Sequence, residues 1–101
     1  YENFVSLLEK NYRTERGIAF YADKLCVTPK YLSSLLKNVT GKTALEIIEE
    51  YAIVECKALL RSTKMSIQEI SDELNFPSQS VFGKYFKRLT GMSPKEYRKG
   101  S

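Results

Sequence analysis

The chain contains a near-repeat at a separation of 50 residues, and this repeat is the strongest constraint on its fold. Residues 31–41 read YLSSLLKNVTG and residues 81–91 read VFGKYFKRLTG, so both segments end in Thr-Gly. Upstream of these segments the matching separation is 49 residues, so the second copy carries one extra residue in its preceding turn. We therefore expect two similar units within the 101 residues.

Helix signals occur along the whole chain, and no segment has the convincing alternation of a β-strand. Capping boxes, in which a hydroxyl residue is followed three positions later by Glu, mark helix starts. They are Thr43 with Glu46, Ser66 with Glu69, and Ser93 with Glu96. Proline at the first helical position marks two starts, at Pro29 and Pro94. Glycines that are predicted to end helices are Gly17, Gly41 and Gly91.

These signals predict seven helices, at about residues 3–12, 18–25, 28–38, 43–61, 66–74, 78–89 and 94–98. The second and third helices form a pair joined by a tight turn, and so do the fifth and sixth. Such pairs are typical of a helix-turn-helix. The predicted fold is all-α, with two helix-turn-helix subdomains joined by a long linker helix. We expect the first subdomain at residues 1–42, the linker helix at 43–61 and the second subdomain at 62–101.

The apolar residues of the third and sixth helices recur at i, i+1, i+4, i+5 and i+8, which forms one stripe of a helix. In the third helix they are Tyr31, Leu32, Leu35, Leu36 and Val39. In the sixth they are Val81, Phe82, Tyr85, Phe86 and Leu89. The spacing predicts that these side chains pack inward, so that the aromatic residues belong to the core and do not stack on bases.

The residue types disfavour catalysis. The chain has no histidine, and it lacks Cys-x-x-Cys, glycine-rich phosphate loops and serine-nucleophile motifs. Its two cysteines, Cys26 and Cys56, fall at apolar positions, so we expect reduced, buried side chains in a cytoplasmic protein. No run approaches the ~18 apolar residues of a membrane span. We therefore expect no enzymatic activity, cofactor, metal or membrane partner.

The net charge of +4 is distributed unevenly. Residues 28–42 carry +3 with no acidic residue, and residues 76–101 carry +5 with a single acidic residue. The rest of the chain is therefore acidic, at −4. Two basic segments on an acidic chain predict contact with a polyanion at two places. The alternative is chance clustering on a solvated surface.

The faces opposite the apolar stripes have no acidic residue and several short side chains. They consist of Pro29, Lys30, Ser33, Ser34 and Lys37 on the third helix, and of Gln79, Ser80, Gly83 and Lys84 on the sixth. A DNA major groove, about 12 Å wide, admits a helix closely; Gln pairs well with adenine, Lys with guanine, and Ser with either. We predict that these residues contact bases.

Residues at helix starts, and cations close to them in sequence, are predicted to contact DNA phosphates. They are Thr28, Lys42, Thr43, Ser78, Lys87, Arg88, Ser93, Lys95 and Arg98. For Arg98 the alternative is a frayed, charged tail. A 19-residue linker helix spans about 28 Å, and successive major grooves lie about 34 Å apart. Two recognition helices in successive grooves, on an asymmetric site, are therefore expected.

The second unit contains a specific set of motifs. They are Ile70-Ser71, Asn75-Phe76, Phe82, Phe86-Lys87, Gly91, Ser93-Pro94 and Tyr97-Arg98. With this set, residues 18–98 resemble the DNA-binding domain of the AraC/XylS family of bacterial transcription regulators. Ser71 stands where the family usually has Ala, and Asn75 stands where it usually has Gly. The second replacement is mild, because Asn tolerates the left-handed turn conformation that Gly provides. Ala52 replaces an Arg that is common in the family.

The resemblance implies sequence-specific binding of double-stranded DNA, contact with RNA polymerase, and an N-terminal effector-binding or dimerisation domain that is missing from this chain. We therefore expect a fragment of a longer regulator. The alternative is a helical protein-interaction module that has kept the fold but lost DNA binding. The short Ser33 and Ser34, and the acidic side of the linker helix, favour that alternative.

Overall fold

The computed structural model describes residues 1–100, and over these residues it contains seven α-helices and no strand. The helices are α1 (Glu2–Asn11), α2 (Ile18–Lys24), α3 (Pro29–Thr40), α4 (Ala44–Ser62), α5 (Ile67–Glu73), α6 (Gln79–Thr90) and α7 (Pro94–Lys99). The predicted all-α fold and its seven helices are confirmed, and no predicted end differs from the observed one by more than two residues. Residue 101, the last of the predicted second subdomain, lies outside the described residues.

The chain divides into two compact units, the first at Tyr1–Ala52 and the second beginning at Ile53. The division falls inside α4, so each unit contains part of that helix together with three others. The predicted organisation instead set residues 43–61 apart as a linker between two subdomains. That three-part division stays a prediction.

The core of the first unit combines side chains from α1, α2, α3 and the first half of α4. Its buried members are Phe4, Leu8, Tyr21, Ala22, Leu32, Leu36, Ala44, Ile47 and Ile48. The rings of Phe4 and Tyr21 meet edge to face, with centroids 5.7 Å apart. Burial raises the pKa of Tyr21 to about 12, and its hydroxyl donates to the Glu15 carbonyl at 2.6 Å. Tyr21 thereby fixes the loop before α2 to the core.

The core of the second unit is more aromatic. Its buried members are Cys56, Leu60, Ile70, Leu74, Phe76, Phe82 and Phe86. The ring centroids of Phe76 and Phe82 are 5.0 Å apart, and Tyr97 of α7 meets Phe86 edge to face at 5.5 Å. The prediction that Cys56 is buried is confirmed, because only 1% of it is exposed.

The two units share one turn geometry where α3 and α6 end. Gly41 and Gly91 both have a φ of 82°, in the left-handed region that favours glycine. The Thr40 hydroxyl donates to the Leu36 carbonyl at 2.7 Å, and the Thr90 hydroxyl donates to the Phe86 carbonyl at 2.8 Å. The prediction that both glycines end helices is confirmed.

Gly17 does not end a helix, and that prediction is wrong. Helix α1 already ends at Asn11, whose side chain donates back to the Leu7 carbonyl at 2.8 Å. The backbone N–H groups of Thr14 and Glu15 then donate to the Asn11 carbonyl, which closes a turn. Gly17 has a φ of −92° and precedes the first residue of α2. It therefore begins the next helix.

The turns inside the two helix-turn-helix pairs also match. Cys26 has a φ of 58° and Asn75 a φ of 59°. In each turn the next N–H reaches back across five residues, from Val27 to Ala22 at 3.0 Å in the first unit, as in a Schellman motif. The prediction that Asn75 adopts the left-handed conformation is confirmed. The prediction that Cys26 is buried is wrong, because this turn position leaves its side chain exposed.

Only part of each predicted apolar stripe is buried. On α3, Leu32 and Leu36 are at most 3% exposed, whereas the side chains with larger exposure are Tyr31 at 57%, Leu35 at 36% and Val39 at 58%. On α6, Phe82 and Phe86 are buried, Tyr85 and Leu89 are half-buried, and Val81 is exposed. Each stripe consists of two neighbouring rows, an inner row at i+1 and i+5 and an outer row at i, i+4 and i+8. Successive residues differ by 100° around a helix, so the two rows point in different directions and the inner row lies closer to the core. The prediction that both rows pack inward is therefore wrong for the exposed Tyr31, Leu35, Val39 and Val81. It is confirmed for Tyr85, which packs against the core of the second unit.

Candidate nucleic-acid interface

Helices α3 and α6 begin alike, directly after the tight turns. The hydroxyl oxygen of Thr28 accepts from the Tyr31 N–H at 3.1 Å, and that of Ser78 accepts from the Val81 N–H at 3.2 Å. Pro29 occupies the first turn of α3, where a missing N–H costs nothing. The oxygen atoms of Thr28 and Ser78, both predicted to contact phosphates, thus already satisfy the helix starts.

The structure brings the predicted base-contacting residues to the accessible side of each helix. The exposed ones are Pro29, Lys30, Ser34 and Lys37 on α3 and Gln79, Ser80 and Lys84 on α6, with Ser33 and Gly83 half-buried. A side-chain carbon added at Gly83 would meet no atom within 4 Å. The backbone of α6 is therefore open at this position, as a close approach to a groove requires.

Further cations lie near the ends of these helices. Lys87, Arg88 and Lys95 are exposed on α6 and α7. The Arg88 guanidinium lies 5.5 Å from the ring centroid of Tyr85, which is a cation–π distance. These three residues remain accessible for the phosphate contacts that the sequence predicts.

Lys42 already has an acidic partner. Its Nζ lies 3.0 Å from Oε2 of Glu50 and closer still to Oε1, and each side chain is 51% exposed. The hydrogen bond to Glu50 raises the pKa of Lys42 above its ordinary value. The sequence pattern does not reveal this pair, because eight residues separate the partners. A phosphate at Lys42 therefore competes with Glu50 for the ammonium.

The N–H groups of Thr43 and Ser93 are occupied. Each donates to the carboxylate three residues later, Thr43 to Glu46 at 2.8 Å and Ser93 to Glu96 at 2.9 Å. The reciprocal bonds from the Glu N–H groups to the hydroxyls complete both capping boxes. The predicted capping boxes are confirmed. The Thr43 and Ser93 N–H groups are thus engaged within the caps, and the phosphate contacts expected of these two residues stay predictions.

We expect the capping boxes to make stability depend on pH. The N–H of the cap residue lowers the pKa of Glu46, Glu69 and Glu96 below the ordinary 4.5. Such carboxylates stabilise the fold above their unfolded pKa, and the contribution is lost as pH falls through the lower, folded pKa. The melting temperature should thus decrease between about pH 6 and pH 3. It should decrease less in the triple Glu→Gln variant, whose amides still cap but do not titrate. Equal decreases would contradict this origin.

Arg98 is not a frayed tail, because its guanidinium is bound to backbone carbonyls; a phosphate contact from Arg98 stays a prediction. Its Nε donates to the Leu60 carbonyl at 2.9 Å and its Nη1 to the Met65 carbonyl at 2.6 Å. Its Nη2 lies 3.4 Å from the carbonyls of Leu59 and Thr63. The guanidinium therefore caps the C-terminal end of α4, where backbone carbonyls lack helical partners. No local pattern predicts this role, because the partners are 33 to 39 residues away.

The chain has two tandem helix-turn-helix units, and in each the second helix of the pair, α3 or α6, is accessible and free of acidic residues. This arrangement defines a DNA-binding class of protein. A family model described as a helix-turn-helix domain matches residues 21–100. The chain belongs to this family, and among its types to the AraC/XylS regulators, as the sequence predicts.

The arabinose operon regulatory protein of Escherichia coli K12 is 36% identical over 83 residues, covering 82% of this chain and 28% of the relative. The C-terminal domain of AraT, a response regulator from Geobacillus stearothermophilus, has a TM-score of 0.87 at 26% identity, covering 99% of this chain and 84% of that one. The DNA-binding domain of AdpA, solved in complex with a target DNA, shares the fold with a TM-score of 0.79 at 18% identity, covering 96% and 87%.

The chain spans only 28% to 30% of the length of the arabinose regulators that it matches. Among residues 1–100, no helix has the length and apolar character needed to cross a membrane.

Proposed function

We propose that this AraC-type domain recognises a specific sequence in double-stranded DNA by inserting α3 and α6 into successive major grooves. The observation that carries the proposal is the accessible, acid-free face on the third helix of each of two tandem helix-turn-helix units. A helix face exposed only to water normally mixes acidic and basic residues. Faces without any acid suit the negative potential of a groove.

Base contacts are assigned to the residues on those two faces. Gln79 and Lys84 of α6 have side chains long enough for adenine and guanine edges, and Gly83 allows the helix backbone to approach closely. On α3, Lys30 and Lys37 are the long side chains, whereas Ser33 and Ser34 are short. We therefore expect the second unit to contribute more direct base contacts than the first.

Phosphate contacts are assigned to Lys42, Lys87, Arg88 and Lys95, which are exposed cations at the ends of α3, α6 and α7. The hydroxyls of Thr28 and Ser78 can add their hydrogen atoms at the starts of the recognition helices. Contacts to phosphate orient the protein on DNA but carry no sequence information.

We also infer a cytoplasmic, non-enzymatic transcription regulator that contacts RNA polymerase and carries an N-terminal effector-binding or dimerisation domain. Its relatives are named as operon regulators, and the matched segment is only a fraction of their length, which leaves room for such a domain.

Selection from a random duplex library tests the proposal. We expect enrichment of an asymmetric site with two differing halves centred about 10 base pairs apart, because the two units follow one another along one chain and present different outer residues. A palindromic site would contradict the tandem arrangement. If no sequence is enriched and random duplex shows no salt-sensitive binding even at low salt, the protein-interaction alternative is favoured.

Lys42→Ala is expected to weaken binding to specific and random duplexes alike. Loss of one phosphate contact reduces the slope of log affinity against log salt concentration by about 1. Fluorescence anisotropy titrations from low to high salt measure both quantities. Lys10→Ala, an exposed lysine of α1, is the matched control and should leave the slope unchanged. An unaltered slope for Lys42→Ala would remove Lys42 from the interface.

A further inference from the structure

The second unit contains a hollow of about 450 Å³ at the point where α4 ends. Its lining consists of Leu60, Arg61, Thr63, Lys64 and Arg98. Three of these five residues are cations and none is acidic. None of them belongs to the accessible face of α6, so the hollow is a separate feature of this unit.

Two of the three cations are held in place. The Arg61 guanidinium lies 5.1 Å from the ring centroid of Tyr97 and donates to the Tyr97 hydroxyl. The Arg98 guanidinium is fixed by the carbonyl groups around the end of α4. Because these groups are already ordered, a ligand does not have to immobilise them, which favours binding.

The positive charge of the hollow has no acidic counterpart. Within residues 1–100, neither Arg61, Lys64 nor Arg98 forms an ion pair with a carboxylate. The Thr63 hydroxyl is engaged with the Leu59 carbonyl at 2.6 Å. Like charges that face one hollow repel one another, and an anion between them relieves that repulsion. The groups that remain available to bind an anion in the hollow are therefore the outer N–H groups of Arg61 and the ammonium of Lys64.

We propose that this hollow binds a phosphate group. A phosphate carries between one and two negative charges and presents several acceptor oxygens, which suits a guanidinium fork beside an ammonium. Because the Arg98 guanidinium is already bound by carbonyl groups, the ligand meets Arg61 and Lys64, and a single carboxylate would leave one of these two cations uncompensated. The site goes beyond the base and phosphate contacts assigned to the recognition helices.

The phosphate has two sources, the backbone of a duplex or a small phosphorylated molecule. The first helix of a helix-turn-helix crosses the DNA backbone, and Lys64 precedes the first residue of α5, Ile67, by three positions. This position favours the backbone as the source. The chemistry of the site is the same for both.

Titration with inorganic phosphate, in the absence of DNA and against chloride at constant ionic strength, tests the site directly. We expect the amide resonances of residues 59–65 to shift in the wild type, and Lys64→Gln to bind phosphate about fivefold more weakly or worse. Lys10→Gln removes an exposed lysine of α1 and should match the wild type. Lys64 is exposed and has no contact that folding requires, so its variant should remain folded. No shift, or equal shifts in Lys64→Gln, would overturn the proposal.

Addition of duplex identifies the source. If duplex displaces phosphate and Lys64→Gln reduces the salt slope of duplex binding by about 1, the backbone occupies the hollow. If phosphate still binds to the DNA complex, a small phosphorylated molecule occupies it. Both outcomes support the site. Failure of the wild type to bind any duplex would contradict the proposed function, whereas the phosphate titration would still show whether the hollow binds phosphate.

Discussion

Arg98→Ala is expected to lower the free energy of unfolding by about 2–4 kcal/mol, because charged hydrogen bonds to several carbonyls are lost at once. The carbonyls of Leu60 and Met65 receive the two shortest bonds, and both lie where α4 ends and α5 approaches. Without the guanidinium these partly buried acceptors lose their partners, which costs more than the loss of an exposed bond. Denaturant unfolding followed by circular dichroism measures the change.

One further variant separates the effect of the planar guanidinium from the effect of its positive charge, and another is a control. Arg98→Lys keeps the charge but replaces the planar set of donors with one ammonium, so it should recover less than half of the loss. Lys99→Ala, at the neighbouring exposed position, should stay within about 0.5 kcal/mol of the wild type. If Arg98→Ala unfolds at the wild-type denaturant concentration, Arg98 does not cap α4.

Gln79→Ala and Lys84→Ala are expected to remove base discrimination, each at its own position in the DNA site, by about 1–3 kcal/mol. Both side chains are exposed on α6, on the same face as the open backbone at Gly83. Truncation takes away hydrogen bonds to base edges while the backbone contacts remain. Affinity for the selected site should therefore fall, whereas affinity for random duplex should change little.

The measurement is a set of titrations against every single-base substitution of the selected site. Gln68→Ala and Lys10→Ala are matched controls, because they remove exposed residues of the same types from α5 and α1. They should leave the profile of preferences unchanged. If both α6 variants keep the wild-type preference at every base pair, α6 does not contact bases through Gln79 and Lys84.

Helix positions could be predicted because their signals are local. A capping box joins residues three positions apart, so Ser66 with Glu69 and Ser93 with Glu96 identify helix starts without any knowledge of the fold. The left-handed turn at Asn75 could be predicted for the same reason, because the residue type itself tolerates that conformation.

Packing could be predicted only in part. The double apolar stripe of α3 indicates which half of the helix faces the core, but not which row is covered. Leu32 and Leu36 are buried, whereas Tyr31 and Val39 are exposed. Burial of Tyr31 and Val39 would require neighbouring helices to extend over them, and the spacing of apolar residues along α3 does not contain that information. Arg98 shows the same limit for polar groups, since its carbonyl partners are distant in sequence.

For the candidate interface, helical spacing was enough to predict which side chains are accessible, as Gln79 and Lys84 show. It could not predict which cations are already compensated. Lys42 was identified as a cation at the start of α4, but its partner Glu50 comes two turns later on that helix. A charge count along the sequence does not contain that pairing.

The matching turns of the two units have a consequence for how this domain changes during evolution. Backbone φ values agree within one degree at Cys26 and Asn75, and again at Gly41 and Gly91. The exposed faces of α3 and α6 differ at most matching positions, for example Ser34 and Lys84. Geometry and chemistry are thus encoded by separate sets of residues. One unit can therefore acquire a new target sequence by substitution on its outer face, while its partner and the shared architecture stay as they are.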